Sequence, residues 1–134
     1  MFKKTIKYVD FDNNDREEDF YFNLTKAEVA EMELSENGGI SKLLQKIIAE
    51  KDQKRIVEFF KDFIIRSYGE KSNDGRRFMK SKEITDAFTQ TEAYSILFME
   101  LATDEGKAAE FVNAVIPTVK APTANAVPLA TPTV

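Results

Sequence analysis

The hydrophobic pattern at the start of the chain is typical of β-strands. Residues 2–8 and 18–22 are rich in β-forming side chains, and they flank residues 10–15 (DFDNND), a cluster of turn formers. This order predicts an N-terminal β-hairpin. A lone hairpin is only marginally stable in water, so it must pack on the rest of the chain or pair with another chain.

After the hairpin, the apolar spacing changes to that of amphipathic helices. Thr25 and Glu28 match a capping box, and Asp52, Ser81, Thr91 and Asp104 are N-cap residues ahead of later apolar runs. These signals predict five or six helices, which begin near residues 25, 40, 52, 81, 91 and 104. Between the third and fourth, residues 70–80 predict a polar loop around the turn signal at residues 73–75 (NDG).

The prolines divide the chain into two parts. All four lie at or after Pro117, where the composition becomes mainly Ala, Thr, Val and Pro. We therefore predict one folded domain over residues 1–116 and a flexible Pro/Ala/Thr-rich tail over residues 117–134. The predicted fold class is α+β and mainly α-helical, with the N-terminal hairpin ahead of the helices.

The composition excludes several kinds of chemistry. The 134 residues include no His and no Cys, which removes His-based catalytic triads, thiol catalysis and the usual zinc ligands. No stretch approaches the roughly 18 apolar residues of a membrane span, and no signal peptide is recognisable. We expect a cytoplasmic protein that is not an enzyme, has no cofactor and does not enter a membrane.

Two motifs resemble ligand-binding loops but are better explained as turns. An EF-hand loop fits Asp10, Asp12 and Asn14, but its sixth position is Asp15 instead of Gly and its twelfth is Tyr21 instead of Glu. The sequence NGG at residues 37–39 lacks the Lys of a phosphate loop and predicts a helix–helix turn.

A compact basic cluster follows the NDG turn: Arg76, Arg77, Lys80 and Lys82. The net charge of the chain is −4, which opposes long-range attraction to nucleic acid, and no base-stacking motif accompanies the cluster. We expect a solvated loop or contacts with an acidic protein partner, and no nucleic-acid binding.

Large apolar side chains on the third and fifth helices exceed what one amphipathic face requires. Most of them belong in the core, but the interior of a domain of this size is limited, and exposed apolar surface usually marks a binding site. The candidate partner-binding residues are these apolar side chains together with three basic ones: Phe59, Ile65, Tyr94, Phe98, Met99, Arg76, Arg77 and Lys80.

Three stretches together resemble the tail assembly chaperones of long-tailed bacteriophages that infect Gram-positive bacteria. They are DFYFNLTKAEVAEMEL (19–34), FIIRSYGEKSNDGRRFMKS (63–81) and FTQTEAYSILFMELATDEGKAAEFVNAVIP (88–117). The resemblance covers about residues 2–117, and the tail after Pro117 falls outside it.

The resemblance implies a protein that coats the apolar, helical tape-measure protein, keeps it soluble and recruits major tail tube subunits during tail assembly. It implies residence in the host cytoplasm, absence from the mature virion and, in many members, a longer form made by programmed frameshifting. It supplies no catalytic residues. Self-association through the hairpin's edge strands stays open. The alternative is a structural virion protein of the phage tail or of the head-tail connector.

Overall fold

The structure, a computed structural model, describes residues 1–34 and 39–117. Within those residues the architecture is α+β and mainly helical, as the sequence predicts. In chain order the elements are β1 (Phe2–Val9), β2 (Asp15–Phe22), α1 (Lys26–Leu34), α2 (Gly39–Glu50), α3 (Gln53–Ser67), β3 (Tyr68–Lys71), β4 (Phe78–Met79), α4 (Lys82–Thr89), α5 (Glu92–Thr103) and α6 (Glu105–Val115).

The N-terminal hairpin is confirmed. β1 and β2 are antiparallel, with a register that runs from Phe2 opposite Phe22 to Val9 opposite Asp15. The turn is held by the carboxylate of Asp10, which accepts hydrogen bonds of 2.9 Å from the backbone N–H groups of residues 12 and 14. Asn13 adopts a positive φ of 64°, which Asn tolerates better than most residues.

The predicted helix caps are also confirmed. The amide of Thr25 donates to Glu28 Oε1 at 2.8 Å, and the amide of Glu28 donates to Thr25 Oγ1 at 3.1 Å, which is the reciprocal capping box. The side chains of four further N-cap residues each accept a bond from a first-turn amide: Asp52, Ser81, Thr91 and Asp104. Each cap satisfies an amide that has no partner inside its helix.

The segment predicted as a loop at residues 70–80 contains a second hairpin. β3 pairs with β4, and β2 pairs with β3 through Tyr21 and Phe22, so the sheet order is β1-β2-β3-β4. Gly69 lies in β3, where a Cβ atom would stand 2.6 Å from the ring of Phe78. The turn signal was correct, with Gly75 at a φ of 75°, but its flanking strands are too short to show an alternating pattern.

The core is built around aromatic side chains of β2. Phe22 is fully buried, and its ring centroid lies 5.2–5.8 Å from three others, those of Tyr68, Phe88 and Phe111. These three rings belong to β3, α4 and α6. A single strand residue thereby holds the sheet against helices from the second half of the chain.

An ion-pair network connects β1 of the sheet to α5 and α6. Glu100 of α5 lies 2.9 Å from the Nζ of Lys4 in β1 and 3.2 Å from the Nζ of Lys107 in α6. Partial burial raises the pKa of Glu100, but the two lysines lower it more, so the net pKa lies below the usual value. β1 is thus fixed to the helices by charge as well as by packing.

Two predicted features fall partly outside the described residues. In the NGG turn, residues 37 and 38 lie outside them, and Gly39 begins α2 with a φ of 86°. In the predicted tail, residues 118–134 lie outside them, and α6 ends at Val115 just before the predicted boundary. None of the helices in the described ranges combines the length and apolar content needed to span a membrane.

Candidate functional site

α5 has a buried apolar side, and its exposed side carries large apolar residues among polar ones. Ala93, Leu97 and Leu101 recur every four residues and are buried. On the opposite side, Ile96 is 44% exposed and Met99 is 53% exposed. A surface helix usually places polar residues on its outer side, so this exposed apolar pair is the unusual feature of the helix.

Two half-buried rings of α5 pack against the core. Phe98 and Tyr94 pack against the core cluster, and their ring centroids are 5.9 Å apart. Tyr94 in turn meets the buried Phe88 edge to face, with centroids 5.7 Å apart. We define the α5 outer face as Ile96, Phe98 and Met99. Because α5 is capped at both ends and supported by these rings, the face is held in place before any partner binds.

The third-helix candidates are placed differently. Phe59 is half-buried and stacks on Phe63 with parallel rings 5.8 Å apart, so most of its surface serves the core. Ile65 is half-buried as well. The exposed apolar side chain of α3 is Val57, at 41%. The wide apolar stripe of this helix is therefore used mainly for packing, with one apolar residue left at the surface.

The two candidate arginines lie in and beside the turn of the second hairpin. Arg76 and Arg77 are both exposed. The turn beneath them is fixed by Asp74, which accepts bonds from the hydroxyl of Ser72 at 2.7 Å and from the amide of Arg76 at 3.0 Å. These bonds also lower the pKa of Asp74. The turn therefore presents two guanidinium groups from a rigid backbone.

Lys80 is engaged inside the chain. Its Nζ donates to the backbone oxygen of Asn23 at 2.7 Å and to Glu28 Oε2 at 2.8 Å. Burial raises the pKa of Glu28, but the bonds from Lys80 and from the Thr25 amide outweigh it, and the pKa is lowered. The sequence suggested Lys80 as a partner contact, but its ammonium group connects the residue after β4 to the start of α1.

The first residue of the candidate calcium loop is occupied by internal contacts. Asp10 accepts two backbone amides and the guanidinium of Arg16, whose Nε lies 2.7 Å away, and these contacts lower its pKa. Within residues 1–34 and 39–117, no group of three or more acidic side chains is arranged to hold a metal ion. The run forms a hairpin turn, as its composition indicates.

The exposed residues Ile96 and Val57 were not among the candidates selected from the sequence. A helical projection indicates that Ile96 is exposed, because this residue lies one position before Leu97 and away from the side formed by residues 93, 97 and 101. Judging which side of an apolar helix is outward requires knowing where its neighbours pack. Only the tertiary structure supplies that information.

Comparison with known proteins identifies a family. A family model described as phage tail assembly chaperone matches residues 1–126. The match includes the whole described fold and continues past Pro117, beyond the extent of the resemblance noted in the sequence. No curated protein and no solved structure matches the chain. Because the family model spans well over half of the 134 residues, the chain belongs to the phage tail assembly chaperone family.

Proposed function

We propose that this chain binds the tape-measure protein of a long-tailed phage of Gram-positive bacteria, keeps it soluble and recruits major tail tube subunits. The observation that supports this proposal best is the α5 outer face. It offers exposed apolar side chains on a rigid helix, which suits the apolar side of a client helix. Family membership supplies the biological setting.

The chemistry of the face fits a client with many similar but non-identical segments. Met99 is unbranched and polarizable, so it adapts to different neighbouring surfaces, and Ile96 and Phe98 add apolar area beside it. Burial contributes about 25 cal/mol for each Å² of apolar surface, and part of that gain offsets the entropy lost on association. A face of three residues therefore binds each client segment weakly and releases it readily.

The basic turn supplies a second contact. The exposed arginines at positions 76 and 77 complement acidic side chains on a client or on a tube subunit. Exposed ion pairs are screened by salt and contribute up to about 1 kcal/mol each, so they add selectivity more than affinity. We expect this part of the interaction to weaken as the salt concentration rises.

The proposal also covers location and processing. The chain acts in the host cytoplasm and leaves before the virion is complete. A longer form made by frameshifting carries a downstream extension, and residues 118–134 tether that extension to the folded domain. If deletion of residues 118–134 from both forms left tail assembly unchanged, the tether role would be wrong.

A binding experiment tests the proposed face directly. Tagged Ile96→Asp and Met99→Asp variants are compared with the wild type for recovery of co-expressed tape-measure protein. Phe11→Asp is the matched control, because Phe11 is an apolar side chain that is 74% exposed in the hairpin turn. We expect both α5 variants to recover several-fold less client and the control to match the wild type. Equal recovery of the client by all the proteins would show that α5 is not part of the binding site.

Mass spectrometry of purified virions distinguishes the proposed chaperone from the alternative, a structural virion protein. A chaperone is absent or present in far less than the amount of the tail tube protein. A stoichiometric amount in the virion would favour the structural alternative.

A further inference from the structure

One edge of the N-terminal hairpin is free along most of β2. β3 pairs with β2 only at Tyr21 and Phe22, and the amide of Asn23 donates to the Ser67 oxygen at 2.8 Å. The backbone of residue 23 therefore faces β3. Since bonding direction alternates along an antiparallel strand, residues 15, 17 and 19 direct their N–H and C=O groups to the same side. No other described residue pairs with those groups.

The second free edge belongs to β1. Lys3, Thr5 and Lys7 lie opposite residues 21, 19 and 17, so their backbone groups point away from β2. β1 is the end strand of the sheet within the described part of the chain. The contacts of β1 with α5 and α6 include those of Lys4 and Phe2, whose side chains are on the other face together with the buried Ile6. The side chains of residues 3, 5 and 7 are exposed.

The two edges have opposite charge. The ammonium groups of Lys3 and Lys7 lie beside the free backbone groups of β1. The carboxylates of Asp15, Glu17 and Asp19 lie beside the free backbone groups of β2. Asp19 accepts a hydrogen bond from the Thr5 hydroxyl at 2.6 Å. In residues 1–34 and 39–117, these lysines and carboxylates form no ion pair within 4.0 Å. Their charges are thus available to a strand that is added at the edge.

We propose that the two edges bind each other between copies of this chain, with β1 of one copy added to β2 of the next. The ladder satisfies free backbone groups on both copies and places the lysines of one strand beside the carboxylates of the other. Pairing of two β1 edges would bring lysines together, and pairing of two β2 edges would bring carboxylates together. Like edges therefore repel, and the assembly is head to tail.

Head-to-tail addition leaves one free edge of each kind at the ends of the row. Such an interface produces a ring if the rotation between copies closes and an open row if it does not. Self-association does not depend on the proposed client. The use of the assembly does depend on the client. A row of copies is suited to covering a long client, and that use rests on the proposed function.

Charge reversal on the intact chain tests the interface. One variant combines Lys3→Glu with Lys7→Glu, and the other combines Glu17→Lys with Asp19→Lys. A control carries Lys42→Glu and Lys46→Glu, which make the same change in net charge as the lysine variant at exposed positions of α2. Sedimentation velocity over a range of protein concentrations measures association, and circular dichroism verifies that each variant is folded.

The proposal predicts a distinctive pattern. The wild type and the control associate as concentration rises, and each edge variant alone associates at least about tenfold more weakly. An equimolar mixture of the two edge variants associates again, because every β1–β2 contact between different variants pairs opposite charges. A wild type that stays monomeric, edge variants that associate like the control, or a mixture of folded variants that stays monomeric would each overturn the proposal.

Amide hydrogen exchange gives an independent readout that separates this interface from one built on α5. With rising concentration, the amides of Lys3, Thr5, Lys7, Asp15, Glu17 and Asp19 should gain protection, since they change from free to bonded. The amides between them are already bonded within the hairpin. Protection gained along α5 with none at these alternating positions would contradict the strand-addition model.

Discussion

The Nζ of Lys80 lies 2.8 Å from Glu28 Oε2, and this ion pair joins two segments that are 52 residues apart in the chain. The same carboxylate caps α1 through the amide of Thr25, and the same ammonium bonds the Asn23 oxygen. Two residues thereby connect the end of the second hairpin, the end of the first hairpin and the first helix.

This relationship predicts that Lys80 matters for stability. Lys80→Met removes a charge-assisted bond from a partly buried carboxylate, and we expect it to lower the free energy of unfolding by about 1–2 kcal/mol. Arg76→Met is the control, because its exposed guanidinium is not ion-paired in the described residues, and we expect a change within about 0.5 kcal/mol. Urea unfolding measures both. Equal losses would show that the Lys80 contact does not stabilise the fold.

Gly69 is required by the close approach of β4. A Cβ at this position would lie 2.6 Å from the Phe78 ring and 2.7 Å from the Met79 oxygen. We expect Gly69→Ala to cost about 1–3 kcal/mol. Gly106→Ala in α6 is the matched control, since its Cβ would meet only Asp104 at 3.4 Å, and helix propensity favours Ala by up to about 1 kcal/mol. Thermal unfolding should therefore shift in opposite directions for the two variants.

The pKa of Glu100 predicts a pH-dependent contribution to stability. Lys4 and Lys107 hold this pKa below its usual value against the opposing effect of burial. A carboxylate with a lowered folded pKa stabilises the fold above its unfolded pKa of about 4.3, and the stabilisation disappears as the pH falls through the folded value.

The variant Glu100→Gln tests this sign. We expect it to be about 1 kcal/mol less stable than the wild type at pH 7, with the difference shrinking as the pH falls below about 4. Glu58→Gln, on the exposed side of α3, serves as the control and should show little difference at any pH. A Glu100→Gln deficit that stays constant down to the lowest pH would contradict the electrostatic explanation.

The division of α5 into core and surface predicts unequal effects at two nearby positions. Leu97 is 1% exposed and Met99 is 53% exposed. Leu97→Asp buries an unpaired carboxylate, so we expect loss of the cooperative fold. Met99→Asp should remain folded, with a stability change of about 0.5 kcal/mol or less. Unfolding of the Met99 variant, observed by circular dichroism, would place that residue in the core.

The sequence predicted the helices well because their ends are encoded locally. A Thr, Asp or Ser hydroxyl or carboxylate bonds an amide only three residues ahead, so Thr25, Asp52 and Ser81 identify helix starts without knowledge of the fold. The hairpin turn at Asp10 is local in the same way. The β3–β4 hairpin is different, because its strands are short and are defined by their pairing partners.

The candidate site was harder to predict, for a related reason. Periodicity shows that α3 and α5 are apolar on more than one side, but not which side meets the core. Phe59 and Phe98 turned out to be half-buried against it, while Met99 is exposed. Basic character gives no indication of an internal partner either, since Lys80 binds a carboxylate from a distant segment.

The most direct test of the account is co-expression of this chain with the tape-measure protein of the same genome. Client solubility and co-purification are measured with the wild type, with Met99→Asp and without the chain. The account predicts that the client is insoluble alone, is soluble and co-purifies with the wild type, and is largely insoluble with the α5 variant. A client that stays insoluble with the wild type, supplied in both its short and long forms, would contradict the account.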